Sequence, residues 1–259
     1  PTDAQGRLAF DIDGRPLNQN AVIVGRRKAP GFGAGSEADQ SLRDKDATIQ
    51  TLRNTGSDFE PTPRDLMPSQ TDGYWYPNYA SNGRSTGRGV TAIADDLDRQ
   101  VAGLDDRELM VIAHELAHNI DHKSNPARSL KDFDNRKWGI DPADSPGKAK
   151  VNDQLLRIYR DLNNPPGGQV SINGPLDRGY EQVDEARELW AEAIRAYMHD
   201  PNYIKTVAPD VAFLIRHNVN RNPSLRKTIQ FNAAPLAAAG GGSALAAAIL
   251  GQNAQTSDN

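Results

Sequence analysis

The sequence contains no cysteine among its 259 residues, which excludes disulfide bonds and thiol chemistry. Cytosolic and exported proteins both tolerate this absence, so it does not indicate a compartment. An excess of positive charge is missing as well: the formal net charge is −4, and the short basic run Arg26–Lys28 is typical of a solvated surface. The charge therefore argues against a nucleic-acid partner.

Long apolar runs are also missing. Residues 1–20 show no apolar segment of the kind a signal peptide needs, and Ala244–Leu250 is too short to span a bilayer. Aromatic residues make up only 6% of the chain, which indicates a modest core and extensive polar loops. We expect no membrane span and no visible signal peptide, in a chain long enough to bury a complete core.

One motif decides how the rest is read: His-Glu-Leu-Ala-His, beginning at His114, is an HExxH zinc peptidase signature. On a helix, His114 and His118 lie on one face and can reach a single tetrahedral metal at about 2.0–2.1 Å. Glu115 flanks that face, where it can take a proton from a metal-activated water. Asp105 or Asp106 can cap the helix. The neighbouring residues are mostly apolar, which predicts a buried helix: Leu109, Val111, Ile112, Ala113, Leu116, Ala117 and Ile120.

A catalytic zinc site usually has three protein ligands, so a further donor is needed. His122 lies eight residues after His114, about 12 Å along an unbroken helix, and one zinc cannot bind both. Peptidases with a third nearby histidine break the helix with a glycine, whereas position 121 here is Asp. We therefore expect His122 to support the site from outside or to lie at the surface.

A later helix offers carboxylates. Four of the eight glutamates lie in one stretch, at Glu181, Glu185, Glu188 and Glu192. Apolar residues recur there at helical spacing and predict an amphipathic helix over residues 181–199, ended by Asp200-Pro201. Periodicity alone does not select a ligand, and it favours the simpler interpretation that these glutamates form a solvated face.

The HELAH helix and the later Glu188-Leu-Trp-Ala-Glu192-Ala segment together resemble the anthrax lethal factor type of zinc metallopeptidase, over roughly Gly73 to Ile215. In that family the third zinc ligand is the first glutamate of an E-[FL]-[FW]-A-E-A motif, which falls on Glu188. The second, Glu192, would support the site. The resemblance thus implies one Zn²⁺ per chain, with His114, His118 and Glu188 as metal ligands.

The same family places a tyrosine shortly before the third ligand, where its phenol helps to bind the oxyanion. Tyr180 is the nearest match, but it precedes Glu188 by eight residues instead of the usual seven, and Glu181 occupies the seven-residue position. A loop tyrosine after Asp177-Arg178-Gly179 is the alternative interpretation, and both stay open. The lesser candidates are Tyr159, Tyr197 and Tyr203.

The resemblance implies an α+β fold: a mainly helical, zincin-like domain with a small sheet beside the HExxH helix and long irregular loops. The sequence predicts a strand at Gly89–Ala94, just before that helix, and we expect it to be the edge strand that pairs with an extended substrate. An aromatic cluster, Gly73–Tyr79, precedes it.

The chain divides into three parts by composition. Residues 1–70 are predicted to be an irregular arm with a short strand at Ala21–Val24 and a possible helix from Ala38 to Asn54. Residues 71–232 form the predicted metallopeptidase domain, which includes a helix from Ala149 to Leu162. Residues 233–259 are an Ala/Gly-rich tail, predicted to be disordered or a linker.

The leading hypothesis is a zinc-dependent endopeptidase acting on a protein or peptide substrate, with catalysis by Glu115 and Tyr180. An exported or virion-borne effector and a processing protease both fit the sequence, which leaves the localisation open. Residues 222–232 resemble sequence that follows such domains in large phage polypeptides, which would make the chain part of a longer polypeptide or assembly. One alternative is a catalytically silent domain that serves as a structural or binding module; another is a polar helical domain in which HExxH is coincidental.

Overall fold

The computed structural model describes residues 22–24, 45–68, 71–82, 85–97, 105–124, 146–164 and 171–231. The architecture over these ranges is α+β, as predicted. The helices are α1 (Lys45–Asn54), α2 (Asp105–Ser124), α3 (Pro146–Asn163), α4 (Glu185–His199), α5 (Pro201–Val207) and α6 (Pro209–Arg221). The strands are β1 (Val22–Val24), β2 (Ser57–Thr62), β3 (Gly73–Tyr79), β4 (Ser85–Ala94) and β5 (Ile229–Phe231). Within the described ranges, short 3₁₀ helices cover Arg64–Leu66, Pro175–Arg178 and Leu225–Lys227.

The larger sheet has the strand order β2-β4-β3, with β2 parallel and β3 antiparallel to β4. The predicted strand at Gly89–Ala94 is present as part of β4, but the expectation that it is the edge strand is wrong. β4 is paired on both sides, and the aromatic segment Gly73–Tyr79 forms the edge as β3. Strand order depends on pairing between distant segments, which the local pattern of β4 does not encode.

Helix α2 lies at the centre of the core, as its apolar circumference predicts. Leu116, Ala117 and Ile120 are fully buried and belong to the same apolar cluster as Trp190 and Ile194 of α4. A helix that is apolar nearly all round needs partners on several sides. The other helices and β5 contribute to the same cluster, so the backbone of α2 is held on several sides.

The interpretation of residues 1–70 as an irregular arm is wrong for residues 45–66. Leu52 of α1 is fully buried in the main core, and β2 pairs along its length with β4. The apolar face of α1 is thin because Thr48 and Thr51 occupy buried positions beside Leu52, so the sequence pattern underestimates its packing. The predicted strand at Ala21–Val24 is present as β1, which pairs in parallel with β5.

Two predicted helices are confirmed with shifted ends. The helix predicted at Ala149–Leu162 is α3, Pro146–Asn163, and the one predicted over residues 181–199 begins only at Glu185 because a turn precedes it. Residues 38–44 of the possible first helix and the tail, residues 233–259, lie outside the described residues. No helix in the described ranges is long and apolar enough to cross a membrane.

Candidate metal centre

Two packed helices bring the candidate ligands together. His114 and His118 lie one turn apart on α2, and Glu188 lies in the first turn of α4. The Nε2 atoms of the two histidines are 3.1 Å apart, and Glu188 places its oxygens 3.2 Å from the Nε2 of His114 and 3.4 Å from that of His118. The HExxH helix alone could not have supplied the third group.

These distances fit a single metal ion. With metal–ligand bonds of about 2.0–2.1 Å, the ligand atoms of a tetrahedral zinc site are about 3.3 Å apart. The three measured separations lie close to that value, and the three side chains form a group that could hold a metal ion. His118 and Glu188 are buried, so a bound ion would have little competing water on the protein side.

The tautomer of His114 is set by its second nitrogen. Nδ1 lies 3.3 Å from Oε2 of Glu192, and the carboxylate accepts the Nδ1 proton. In a neutral imidazole, Nε2 is then a bare lone pair that faces the oxygens of Glu188. Two lone pairs at this distance repel each other unless a positive charge lies between them, either a proton on Nε2 or a metal ion.

The charges of the site also favour a cation. Burial raises the pKa values of Glu188 and Glu192, but His118 and His114 beside Glu188, and Arg195 and His114 beside Glu192, outweigh it and hold both values well below the usual range. Burial lowers the pKa of His114, yet the same two carboxylates raise it to about 10. Both carboxylates are therefore ionised, and the site attracts positive charge as a proton or as a metal ion.

Glu115 lies beside this cluster without belonging to it, and it lines the cleft. Its side chain is 4% exposed, the backbone N–H of Trp75 donates to its carboxylate, and Oε2 has no hydrogen-bond partner in the described part of the chain. Burial raises its pKa to about 7, with the charge of His114 acting in the opposite direction. A carboxyl group poised near neutrality can both accept and return a proton.

The cleft in front of the cluster has a volume of about 240 Å³. Its walls come from β3 and the turn before it, from α2, and from the segment that leads into α4. The lining residues are Pro68, Thr71, Gly73, Tyr74, Trp75, His114, Glu115, His118, Tyr180, Asp184, Arg187 and Glu188. The site is thus reachable from outside although two of its three candidate ligands, His118 and Glu188, are buried.

Tyr180 is among these lining residues despite its eight-residue spacing from Glu188. A turn at residues 181–184 takes up the extra residue before α4 begins, and Glu181, at the usual position, is exposed. Tyr180 as a whole is 42% exposed. Partial burial of its phenol, together with the charge of Glu188, raises the pKa of Tyr180. The phenol stays protonated and can donate a hydrogen bond into the cleft.

The three lesser tyrosine candidates are outside the cleft lining. Tyr159 is buried on α3, Tyr197 packs its ring against Phe231 in the core, and Tyr203 donates to Asp161. Burial and the charges of Glu192 and Glu188 raise the pKa of Tyr159, so its phenol lies near these two carboxylates although it does not line the cleft.

His122 is not a surface residue. It is 1% exposed, and its ring centroid lies 5.1 Å from that of Trp75. The ring of His122 packs against the side chain of Trp75 in β3, and the backbone N–H of Trp75 donates to Glu115. The predicted surface position is therefore wrong, and the support of the site from outside stays a prediction.

Some residues around the site carry no signal in the sequence. Asn163 of α3 donates to Glu192 at 3.1 Å, and Arg195 donates to the same carboxylate. Arg187 lies in the cleft and pairs with Asp184 at 2.9 Å. Asparagine at a helix end and arginine on an amphipathic helix are common, so only the folded chain identifies these partners.

No protein-family model matches the chain, and no curated protein matches it.

Proposed function

We propose that this chain is a zinc-dependent endopeptidase with a zincin-like catalytic domain of the lethal factor type. The observation that carries the proposal is the placement of a buried glutamate, Glu115, beside a three-residue metal cluster at the bottom of an open cleft. A structural zinc site is usually closed by four protein ligands, whereas three ligands leave a position for water. The cleft gives a substrate access to that position.

The donor set favours zinc. Two imidazoles and one carboxylate are the ligands found in many catalytic zinc sites. Magnesium and calcium prefer sites made of oxygen ligands alone, so two nitrogen donors argue against them. His114, His118 and Glu188 would hold the ion, and Glu192 would keep His114 in the tautomer that binds it.

When bound, zinc lowers the pKa of a water molecule towards 7 and polarises a carbonyl group. Glu115 takes the proton of the attacking water and delivers it to the departing amine. The phenol of Tyr180 donates a hydrogen bond to the carbonyl oxygen, on which negative charge develops. No cysteine or serine nucleophile is needed.

β3 supports the binding of an extended substrate. The N–H of Ala94 donates to the carbonyl of Asp72 at 2.9 Å, and the alternation of an antiparallel pair then turns the backbone groups of Gly73 and Trp75 away from β4. Both residues line the cleft. The N–H of Trp75 already donates to Glu115, so a substrate would pair with Gly73 and with the carbonyl of Trp75. Pro77, at the next outward position, has no N–H, so we expect backbone pairing with a substrate to end there.

Zinc content tests the proposal. We expect about one zinc per chain, by elemental mass spectrometry, in protein purified without a histidine tag and dialysed against metal-free buffer. Cleavage of a mixed peptide library should then appear with zinc and disappear after chelation. A folded protein that does not bind added zinc would contradict the proposal. A protein that binds zinc but cleaves no peptide would instead favour the catalytically silent module.

Gly73→Ala should lower peptide hydrolysis by about 10- to 100-fold without loss of zinc, because a misplaced catalytic group is costly. A Cβ at this position would lie 2.6 Å from Cγ1 of Val111, 2.9 Å from Cδ1 of Ile93 and 3.2 Å from Cγ of Glu115. β3 or the contacted side chains must therefore shift, and Glu115 is one of them.

The matched control for this change is Gly174→Ala, where the nearest heavy atom to the added Cβ is Cδ2 of Leu156 at 3.4 Å. Initial rates and zinc content should be compared for both variants. Wild-type rates in Gly73→Ala would show that the close approach of β3 and α2 does not position the base.

A further inference from the structure

Hydrogen bonds connect the turn that carries Tyr180 with the metal ligand His114, and Asn163 lies between them. Glu192 accepts from Nδ1 of His114 through Oε2, and its Oε1 accepts from Nδ2 of Asn163 at 3.1 Å. The amide oxygen of Asn163 accepts from Nη2 of Arg178 at 3.2 Å. α4, the end of α3 and the 3₁₀ helix before α4 therefore meet at one amide, and α2 is connected to it through Glu192.

The amide of Asn163 has one possible orientation. Its nitrogen also donates to the carbonyl of Tyr159 at 2.9 Å, so both Nδ2 hydrogens have acceptors. A flipped amide would set its oxygen against the carboxylate of Glu192 and the carbonyl of Tyr159, and would turn its donors towards a guanidinium. Asn163 can therefore contact Glu192 only as a donor, through Nδ2.

Arg178 connects this amide to Tyr180 through a tight turn. Arg178 is the last residue of the 3₁₀ helix Pro175–Arg178, and Gly179 follows in the left-handed region at φ 88°. The N–H of Gly179 donates to the carbonyl of Leu176 at 3.0 Å. The N–H of Tyr180 donates to the carbonyl of Pro175 at 3.4 Å, so one hydrogen-bonded segment carries both the Arg178 side chain and Tyr180.

Charge neutralisation does not require Asn163. Arg195, on the same helix as Glu192, already places its guanidinium against both carboxylate oxygens. A neutral amide adds no charge, so its contribution is the alignment of groups from different elements. Asn163 is suited to hold two catalytic parts in register: the ligand His114 and the phenol of Tyr180.

We infer that Asn163 is a positioning residue, which aligns His114 through Glu192 and the Tyr180 turn through Arg178. The inference rests on the proposed function, since it takes His114 as a metal ligand and Tyr180 as the oxyanion donor. The contact of Asn163 with Glu192 should affect zinc affinity, and its contact with Arg178 should affect kcat.

Asn163→Asp tests the first effect. The carboxylate keeps an acceptor for Arg178 but faces the carboxylate of Glu192, so zinc affinity measured by competition with a chelator should fall about 10- to 100-fold. The neighbouring Asn164→Ala is the matched control. Asn164 bonds the backbone of Arg160 and Ile172 and does not touch Glu192, so the variant should keep wild-type zinc affinity.

Arg178→Ala tests the second effect. The side chain is exposed, so the variant should fold and bind zinc with wild-type affinity, while kcat falls about 10-fold and KM changes less. In a Tyr180→Phe background the same change should have little further effect, because the phenol that it displaces is already absent. Arg157→Ala, at an exposed position of α3, controls for loss of a surface arginine.

Wild-type zinc affinity in Asn163→Asp would overturn the first half of the inference, and an unchanged kcat in Arg178→Ala the second. Additive losses in Arg178→Ala and Tyr180→Phe would also overturn the second. These outcomes differ from a failure of the proposed function, in which the unsubstituted protein itself binds no zinc or cleaves no peptide.

Discussion

Replacing Glu115 by Gln is expected to reduce peptide hydrolysis by about 10²- to 10⁴-fold, the range lost when a general base is removed. Glutamine has nearly the same shape, and its amide oxygen can still accept the hydrogen bond from the backbone of Trp75. It cannot accept the proton of the attacking water. Because Glu115 is not one of the three clustered ligands, zinc content should stay at the wild-type value.

The measurement compares initial rates and zinc per chain for Glu115→Gln and for Glu185→Gln. Glu185 also lies near the cleft end of α4 but is outside the metal cluster, so its substitution should leave both quantities unchanged. A Glu115→Gln variant with a wild-type rate would show that another group takes the proton.

The result also separates an enzyme from a silent module. A domain kept only for binding or structure has no need of a buried carboxyl group with a raised pKa beside a metal cluster, since burying it without a full set of partners is unfavourable. If the free energy of unfolding is higher for the Glu115→Gln variant than for the wild type, the difference reports the cost of burying the carboxyl group. Increased stability with lost activity is a common outcome at catalytic positions.

The parts of the site that depend on local sequence could be predicted. The HELAH helix is apolar around most of its circumference, and its two histidines are fixed one turn apart by helical geometry. For Glu188 the local pattern is not enough: the helical wheel favours a solvated face, and only the resemblance to a known family selects this glutamate. In the structure Glu188 is 3% exposed because α4 packs that face against α2.

The parts that depend on distant pairing could not be predicted. Nothing local to Gly89–Ala94 shows that both its edges are covered, and nothing local to Gly73–Tyr79 shows that it borders the cleft. Asn163 lies at a helix end where asparagine is ordinary, and its partners come from positions 15 and 29 residues away. Such residues are identified only by the contacts they make after folding.

Replacing Glu188 by Gln should abolish stoichiometric zinc binding, and with it hydrolysis. The carboxylate is the only anionic member of the cluster, and a neutral amide oxygen is a poorer zinc ligand than an ionised carboxylate. The two histidines that remain cannot complete a catalytic site. Zinc content and chelator competition measure the effect directly.

Unfolding provides a second readout that needs no substrate. Zinc at about 1,000 times its dissociation constant should stabilise the folded wild-type protein by about 4 kcal/mol, because the unfolded chain lacks the assembled site. Thermal unfolding with and without a chelator should therefore differ for the wild type and coincide for Glu188→Gln. Glu192→Gln should fall between them, since it weakens the orientation of His114 but leaves all three ligands in place.

The comparison of Glu188 and Glu192 decides the ligand assignment. Both carboxylates lie within 3.3 Å of a nitrogen of His114, but Glu188 faces Nε2, which points to the cluster, and Glu192 faces Nδ1 on the far side of the ring. If Glu192→Gln lost zinc completely while Glu188→Gln kept it, the ring of His114 would have to bind through Nδ1. His118, whose Nε2 faces Nε2 of His114 and Glu188, would then lie outside the site, and the three-ligand arrangement would be wrong.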